Sequence, residues 1–146
     1  MLKRYSIAAL ISLLLIFTAF TGGGFAQETE PDMSPEIEEA ILKVKKVNEK
    51  IDEEILKVQV KAEKMEAKFL ADQAKTSDVE KHQKAWTKYD EKLDAEIAKL
   101  QVKAETITSK GIDKAEAAGL EVEIEFIFIK FADREAEIDP IRVLGW

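Results

Sequence analysis

From Ile37 to Phe69 the apolar positions advance by alternating steps of four and three residues, through Ile41, Val44, Ile51, Ile55, Val58, Ala62 and Met65, with Asn48 in the one polar slot. This spacing is a heptad seam with a positions at 41, 48, 55, 62 and 69, and it predicts a long helix that buries one stripe against another helix. The pattern lapses near Asp72. It resumes at Val79 and continues through Trp86, Leu93, Ile97, Leu100, Ala104 and Ile107. The phase survives because the chain repeats itself. EKIDEEILKVQVKAE at 49–63 returns as EKLDAEIAKLQVKAE at 91–105, eleven of fifteen positions identical at an offset of 42 residues, or six heptads.

Between the copies lies Ala74-Lys75-Thr76-Ser77-Asp78, and Ser77 with Glu80 three residues on is a capping-box pattern. Two helices are therefore expected, over about 35–74 and 78–118, folded back on each other through a turn near 75–78. Ser34 is the expected cap of the first, with Pro35 at its first position and Glu36, Glu38 and Glu39 where the helix dipole favours anions. Antiparallel pairing of residues whose numbers sum to about 155 sets Phe69 on Trp86, Ala62 on Leu93, Val58 on Ile97, Ile55 on Leu100 and Ile51 on Ala104. Asn48 then faces Ile107 and Met65 faces Asp90. The equivalent polar residues Asn48 and Asp90 are read as register-fixing devices. The competing arrangement is one helix continuing through Ser77 and dimerising in parallel. Leu42, Val47, Leu56, Val60 and Leu70 lie off the seam, so the hairpin should pack against more protein or a second copy.

Gly119 reads as the C-terminal stop of the second helix, and Gly111 as a kink or break before it. The period then drops to two. Leu120, Val122, Ile124, Phe126 and Phe128 share one face. Glu121, Glu123, Glu125, Ile127, Ile129 and Phe131 share the other. The first half predicts a strand with one wet face, and the second, apolar on both faces, should be covered. Glu135–Ile138 returns as a second strand and 141–144 can add a third. The fold class expected is α+β, mainly α: a long antiparallel two-helix coiled-coil hairpin over 34–119, then a small C-terminal β-hairpin or three-stranded β-unit over 120–146.

The N-terminus changes the picture of location. Lys3 and Arg4 precede a mostly apolar run from Ile7 to Phe20, and Gly24-Phe25-Ala26 has small residues where a signal peptidase cuts. A signal peptide over 1–26, cleaved after Ala26, and a flexible linker over 27–33 are expected. An uncleaved N-terminal anchor is the alternative, and cleavage would leave no membrane span in the mature chain. The absence of cysteine excludes disulfides, thiolate metal sites and lipobox attachment. Without Lys3 and Arg4, 20 basic residues face 29 acidic ones, which argues against nucleic acid as a partner.

No catalytic constellation stands out. His82 is the sole histidine, placed at an exposed heptad g position with no second ligand, and the carboxylates fall on wet helix faces. No catalytic residue, cofactor or structural metal is expected. The Glu121, Glu123 and Glu125 row offers at most a weak divalent-cation site. The layout resembles periplasmic holdase chaperones, which set helical hairpins on a β-built oligomeric base. That resemblance is of layout only, since no strand precedes the first helix and this chain is acidic. The expected function is that of an exported, non-catalytic binding, scaffold or chaperone-like module at a bacterial cell envelope. A self-assembling component of the cell surface or matrix is the alternative. A protein partner or self-association is expected, through unrepeated residues: Phe69 and Trp86 at the tip, and Phe126, Ile127, Phe128, Ile129 and Trp146 in the tail.

Overall fold

The computed structural model describes residues 33–146; the expected signal peptide, its cleavage point and nearly all of the linker lie outside the described residues. Two helices, α1 (Pro35–Gln73) and α2 (Val79–Ala117), precede four strands: β1 (Glu121–Ile124), β2 (Ile127–Phe131), β3 (Arg134–Ile138) and β4 (Ile141–Gly145). The helices pack along each other as an antiparallel hairpin, and the protein is mainly helical with a small antiparallel β-unit.

The helix ends follow local chemistry. Ser34 Oγ accepts from the Ile37 N–H at 3.4 Å, and Pro35 takes the first helical position. α2 is capped by Asp78, not Ser77. The Asp78 Oδ1 accepts from the Glu80 and Lys81 N–H groups at 3.0 and 3.3 Å, because a carboxylate at the positive end of a helix outcompetes a hydroxyl one residue earlier. The imidazole Nε2 of His82 sits 2.5 Å from the Thr76 carbonyl, so His82 is half-buried and closes the turn rather than standing in solvent. At the far end Gly119 adopts φ +87°, the left-handed C′ conformation expected of it.

Ile51, Ile55, Val58 and Ala62 of α1 are buried with Leu93, Ile97, Leu100 and Ala104 of α2, the layers expected from the heptads. Val79 departs from the seam and is 82 % exposed. Its partner in the pairing would be Thr76, which lies in the turn, so no helix faces it. At the base the buried line shifts to Thr108, Gly111 and Ala115, and Ile107 is only partly covered. Gly111 does not break α2. A Cβ there would lie 2.9 Å from Val47 Cγ1 and collide with Ile141 Cδ1, so the missing side chain lets α1 and β4 close on the helix. Val47, off the seam, is partly buried by that approach. Leu42, Leu56, Val60 and Leu70 remain exposed.

The strands form one bent antiparallel ribbon folded back along the helices. β2 pairs with β3 from Ile127↔Ile138 to Phe131↔Arg134, and β1 pairs with β4 from Glu121↔Gly145 to Ile124↔Ile141. A Glu125 N–H to Pro140 carbonyl bond of 2.9 Å bridges the two segments. Four short strands thus replace the two or three expected. Pro140 has no N–H to continue the ladder, and the irregular residues between β1 and β2 change which parity faces inward. Leu120 and Val122 point to the helices in the first segment; Ile127, Ile129 and Phe131 do so in the second. Phe126 and Phe128 consequently face outward, 60 % and 71 % exposed, and the second half of the run is covered on one side only.

The ribbon sits on the e side of the helical hairpin. Gln59 Nε2 donates to the Lys130 carbonyl of β2 at 3.1 Å, and Gln101 Nε2 donates to the Glu137 carbonyl of β3 at 3.2 Å. These glutamines are equivalent positions of the repeat, so its two copies grip the two strands of the hairpin symmetrically. On the opposite, g side, Glu54–Lys103 and Lys61–Glu96 ion pairs of 2.7 and 2.8 Å join the helices.

Candidate functional site

Three places could serve function: the aromatic tip, the polar junction of helices and ribbon, and the ribbon's outer face. At the tip Phe69 stacks on Tyr89 at 4.9 Å between ring centroids and meets Trp86 edge-on at 5.4 Å. Phe69 is half-buried by this contact and Trp86 is 41 % exposed, so only Trp86 offers much free surface. Met65, Phe69 and Tyr89 floor a shallow pocket rimmed by Lys68, Lys88 and Lys92.

Below the tip, the turn of the β2–β3 hairpin docks on α2 through a charged cluster. Tyr89 donates its hydroxyl to Asp133 Oδ1 at 2.9 Å, and burial together with that carboxylate pushes the phenol pKa up to about 12. Arg134 bonds Asp133 at 3.1 Å and Asp90 at 3.0 Å, and also reaches Asp94. Burial opposes the guanidinium charge, but Asp133, Asp94 and Asp90 together raise its pKa above the usual value. Burial also opposes the Asp133 charge, yet Arg134 and Tyr89 lower that carboxyl's pKa. The cluster leaves its carboxylates paired, which suits anchoring. Asp90 is therefore an anchor for the ribbon, not a register device within the seam.

Asn48, its equivalent in the other copy, has the same duty. Its carboxamide donates to the Ile141 carbonyl at 2.8 Å and accepts from the Ile141 N–H at 3.0 Å, clamping β4 onto α1. It is directed at the ribbon and not at Ile107. Asp52, one turn on, has its carboxyl pKa raised by burial and then by Glu49. The signal for these roles was present in the repeat. Asn48 and Asp90, and Gln59 and Gln101, are polar at matched positions, but nothing in one helix hairpin showed that a third layer would use them.

Of the tail residues singled out by sequence, Ile127 and Ile129 lie on the inner face, packed against the helical core, and do not present a surface. Phe126, Phe128 and Trp146 are exposed. They do not join the tip in one site, because the tip lies beyond the ribbon's turn. Phe128 is flanked on the outer face by Lys130 of its own strand and by Glu137 and Glu135 across the hairpin. In the row of glutamates, Glu123 is engaged by Arg142 at 3.4 Å across the β1–β4 pair. Among the described residues no group of three or more His, Asp or Glu stands placed to hold a metal, and no helix is long and apolar enough to cross a membrane. Comparison with protein-family models, with curated proteins and with solved structures finds no match for the chain.

Proposed function

We propose that the protein is an exported, non-catalytic binding module of the bacterial cell envelope that engages other proteins through the outer side of its β ribbon. The observation that carries this reading is the contrast between the two sides of the chain at β2 and at Phe126 just before it. Ile127, Ile129 and Phe131 are packed on a rigid helical platform, while Phe126 and Phe128 are held out in water by the same backbone. Large aromatic groups fixed in solvent on a braced strand are what a docking surface requires. The basic and apolar N-terminal pattern ending at Ala26 supports export. The alternative, a self-assembling surface component, draws on the open edges of a two-stranded ribbon. Gln59 and Gln101 each occupy one carbonyl on those edges, of Lys130 and of Glu137, and leave the neighbouring edge groups unpaired.

The test uses the chain beginning at Gln27. It should remain a monomer or discrete small oligomer in light scattering and suppress aggregation of a chemically unfolded client protein. Replacing Phe126 and Phe128 together by serine should abolish that suppression without altering the helical circular dichroism. Wild-type protein that leaves client aggregation unchanged at several-fold excess would sink the chaperone-like form of the proposal. Growth into large species with concentration would favour assembly.

A further inference from the structure

We propose that the open edge of β2 and the shoulder of α1 beside it form a groove for one extended segment of a partner protein, alternating apolar and basic residues, added as a third strand. This rests on the binding-module reading and specifies its site and ligand chemistry.

The helical platform is wider than the ribbon that lies on it. Two helices packed 8–10 Å apart make a platform roughly 20 Å across, whereas two strands about 5 Å apart cover only about half of it. A shoulder is left on each side, formed by the heptad b positions that lie outboard of the e positions under the ribbon. On α2 these are Lys84, Glu91, Ala98 and Glu105. On α1 they include Leu42, Leu56 and Leu70, and all three are exposed. The repeat makes this difference specific, since Leu56 and Ala98 are equivalent residues in otherwise matching segments. Val60 has an exposed counterpart in Val102, so the two shoulders differ in the leucines: the shoulder beside β2 carries Leu56 where that beside β3 carries Ala98.

The edge above it is open. The two-residue turn makes Phe131↔Arg134, Ile129↔Ala136 and Ile127↔Ile138 the bonded pairs, so the N–H and C=O of Phe128 and Lys130 point away from β3. Gln59 fills the Lys130 carbonyl and so fixes the two elements in register. Stepping back two residues along the strand, at about 3.3 Å each, matches roughly four residues of helix at 1.5 Å each. Phe128 therefore lies level with Leu56, which is 59 % exposed. A strand paired to Phe128 would point alternate residues down onto Leu56 and Val60, and the others outward beside Phe126 and Phe128. The exposed rings of Phe126 and Phe128, with Glu135 and Glu137 on the same outer face of the ribbon, select Lys or Arg at the outward positions of the segment.

A second copy does not fit this edge. Joining two β2 edges about 5 Å apart would bring two α1 helices, each outboard of its strand, closer than the 8–10 Å that helices need.

The probe is a fluorescein-labelled synthetic peptide of alternating valine and lysine, titrated against the full chain and followed by anisotropy. Saturable, salt-sensitive binding is expected. Leu56→Ser should weaken it by about tenfold or more, whereas Ala98→Ser, the matching change on the other shoulder, should leave it within about twofold. Each variant is first checked for wild-type circular dichroism and melting. A peptide with glutamate in place of lysine, or with N-methylated backbone, should not bind. Equal effects of the two substitutions, or binding of the glutamate peptide, would overturn the groove. Suppression of client aggregation with no peptide binding would remove the groove and leave the module reading intact. Peptide binding by a chain that is not exported would do the reverse.

Discussion

Asn48 shows how much one side chain can do when a strand end needs both a donor and an acceptor. Its two bonds satisfy the N–H and C=O of Ile141, a buried residue at the start of β4. Asn48→Leu leaves both backbone groups without partners and should cost about 1–3 kcal/mol, read as a lower urea midpoint. Asn48→Asp should not rescue it, because a carboxylate accepts but cannot donate to the carbonyl; an unchanged midpoint in either variant would refute the clamp. Tyr89 makes a second prediction at this scale. Its pKa is raised to about 12 in the fold against an ordinary 10.0, so the folded state favours the neutral phenol. The stability this reflects is complete below pH about 10 and is lost as pH rises through 10 toward 12, where the unfolded chain ionises first. Tyr89→Phe should flatten that alkaline decline in thermal melts, and a decline of equal steepness in the variant would assign it elsewhere. Tyr89 escaped the heptad reading because the seam period runs through Trp86 and Leu93, and its burial depends on Asp133 from a distant turn.

At the scale of elements, the seam was legible because it is local. Steps of three and four residues on one helix need only a second helix to complete them, and the layers from Ile51 to Ala104 appear as expected. Contacts between layers were not legible. Gly111 reads as a helix breaker in isolation, yet it is the point where Val47 and Ile141 reach α2. Gly111→Ala improves helix propensity by about 1 kcal/mol, but its methyl must displace two branched side chains. The overpacking should win, with a net loss of about 1–3 kcal/mol in denaturant unfolding, partly recovered when Val47→Ala is added. A stabilised single variant would show that the helix, not the approach of β4, sets the balance. The tail makes the same point. Period two revealed a strand, but the irregularity between Ile124 and Ile127 exchanged its faces, and only the structure shows that Phe128 ends outside and Phe131 inside.

At the scale of the whole molecule, the repeat is an instruction for three layers of contact instead of two. Its a and d residues pair the helices. Its g residues carry the ion pairs Glu54–Lys103 and Lys61–Glu96, and its glutamines hold the ribbon. Phe131, Ala136 and Ile138 belong to the same buried cluster as Ile51, Leu93 and Leu100. The ribbon is too small to be stable alone. Helices and ribbon should therefore unfold as one cooperative unit. Leu100 is 2 % exposed and sits at the middle of that cluster, so Leu100→Ala should cost about 2–5 kcal/mol, whereas Leu56→Ala on the open shoulder should cost little. The decisive reading is by two probes at once: helical circular dichroism for α1 and α2, and hydrogen exchange at the β2 and β3 amides for the ribbon. In Leu100→Ala both should fall by the same free energy, although no strand residue has been changed. Loss of helix stability with strand protection unchanged would mean that the ribbon folds independently, and that the matched glutamines decorate the hairpin instead of uniting it.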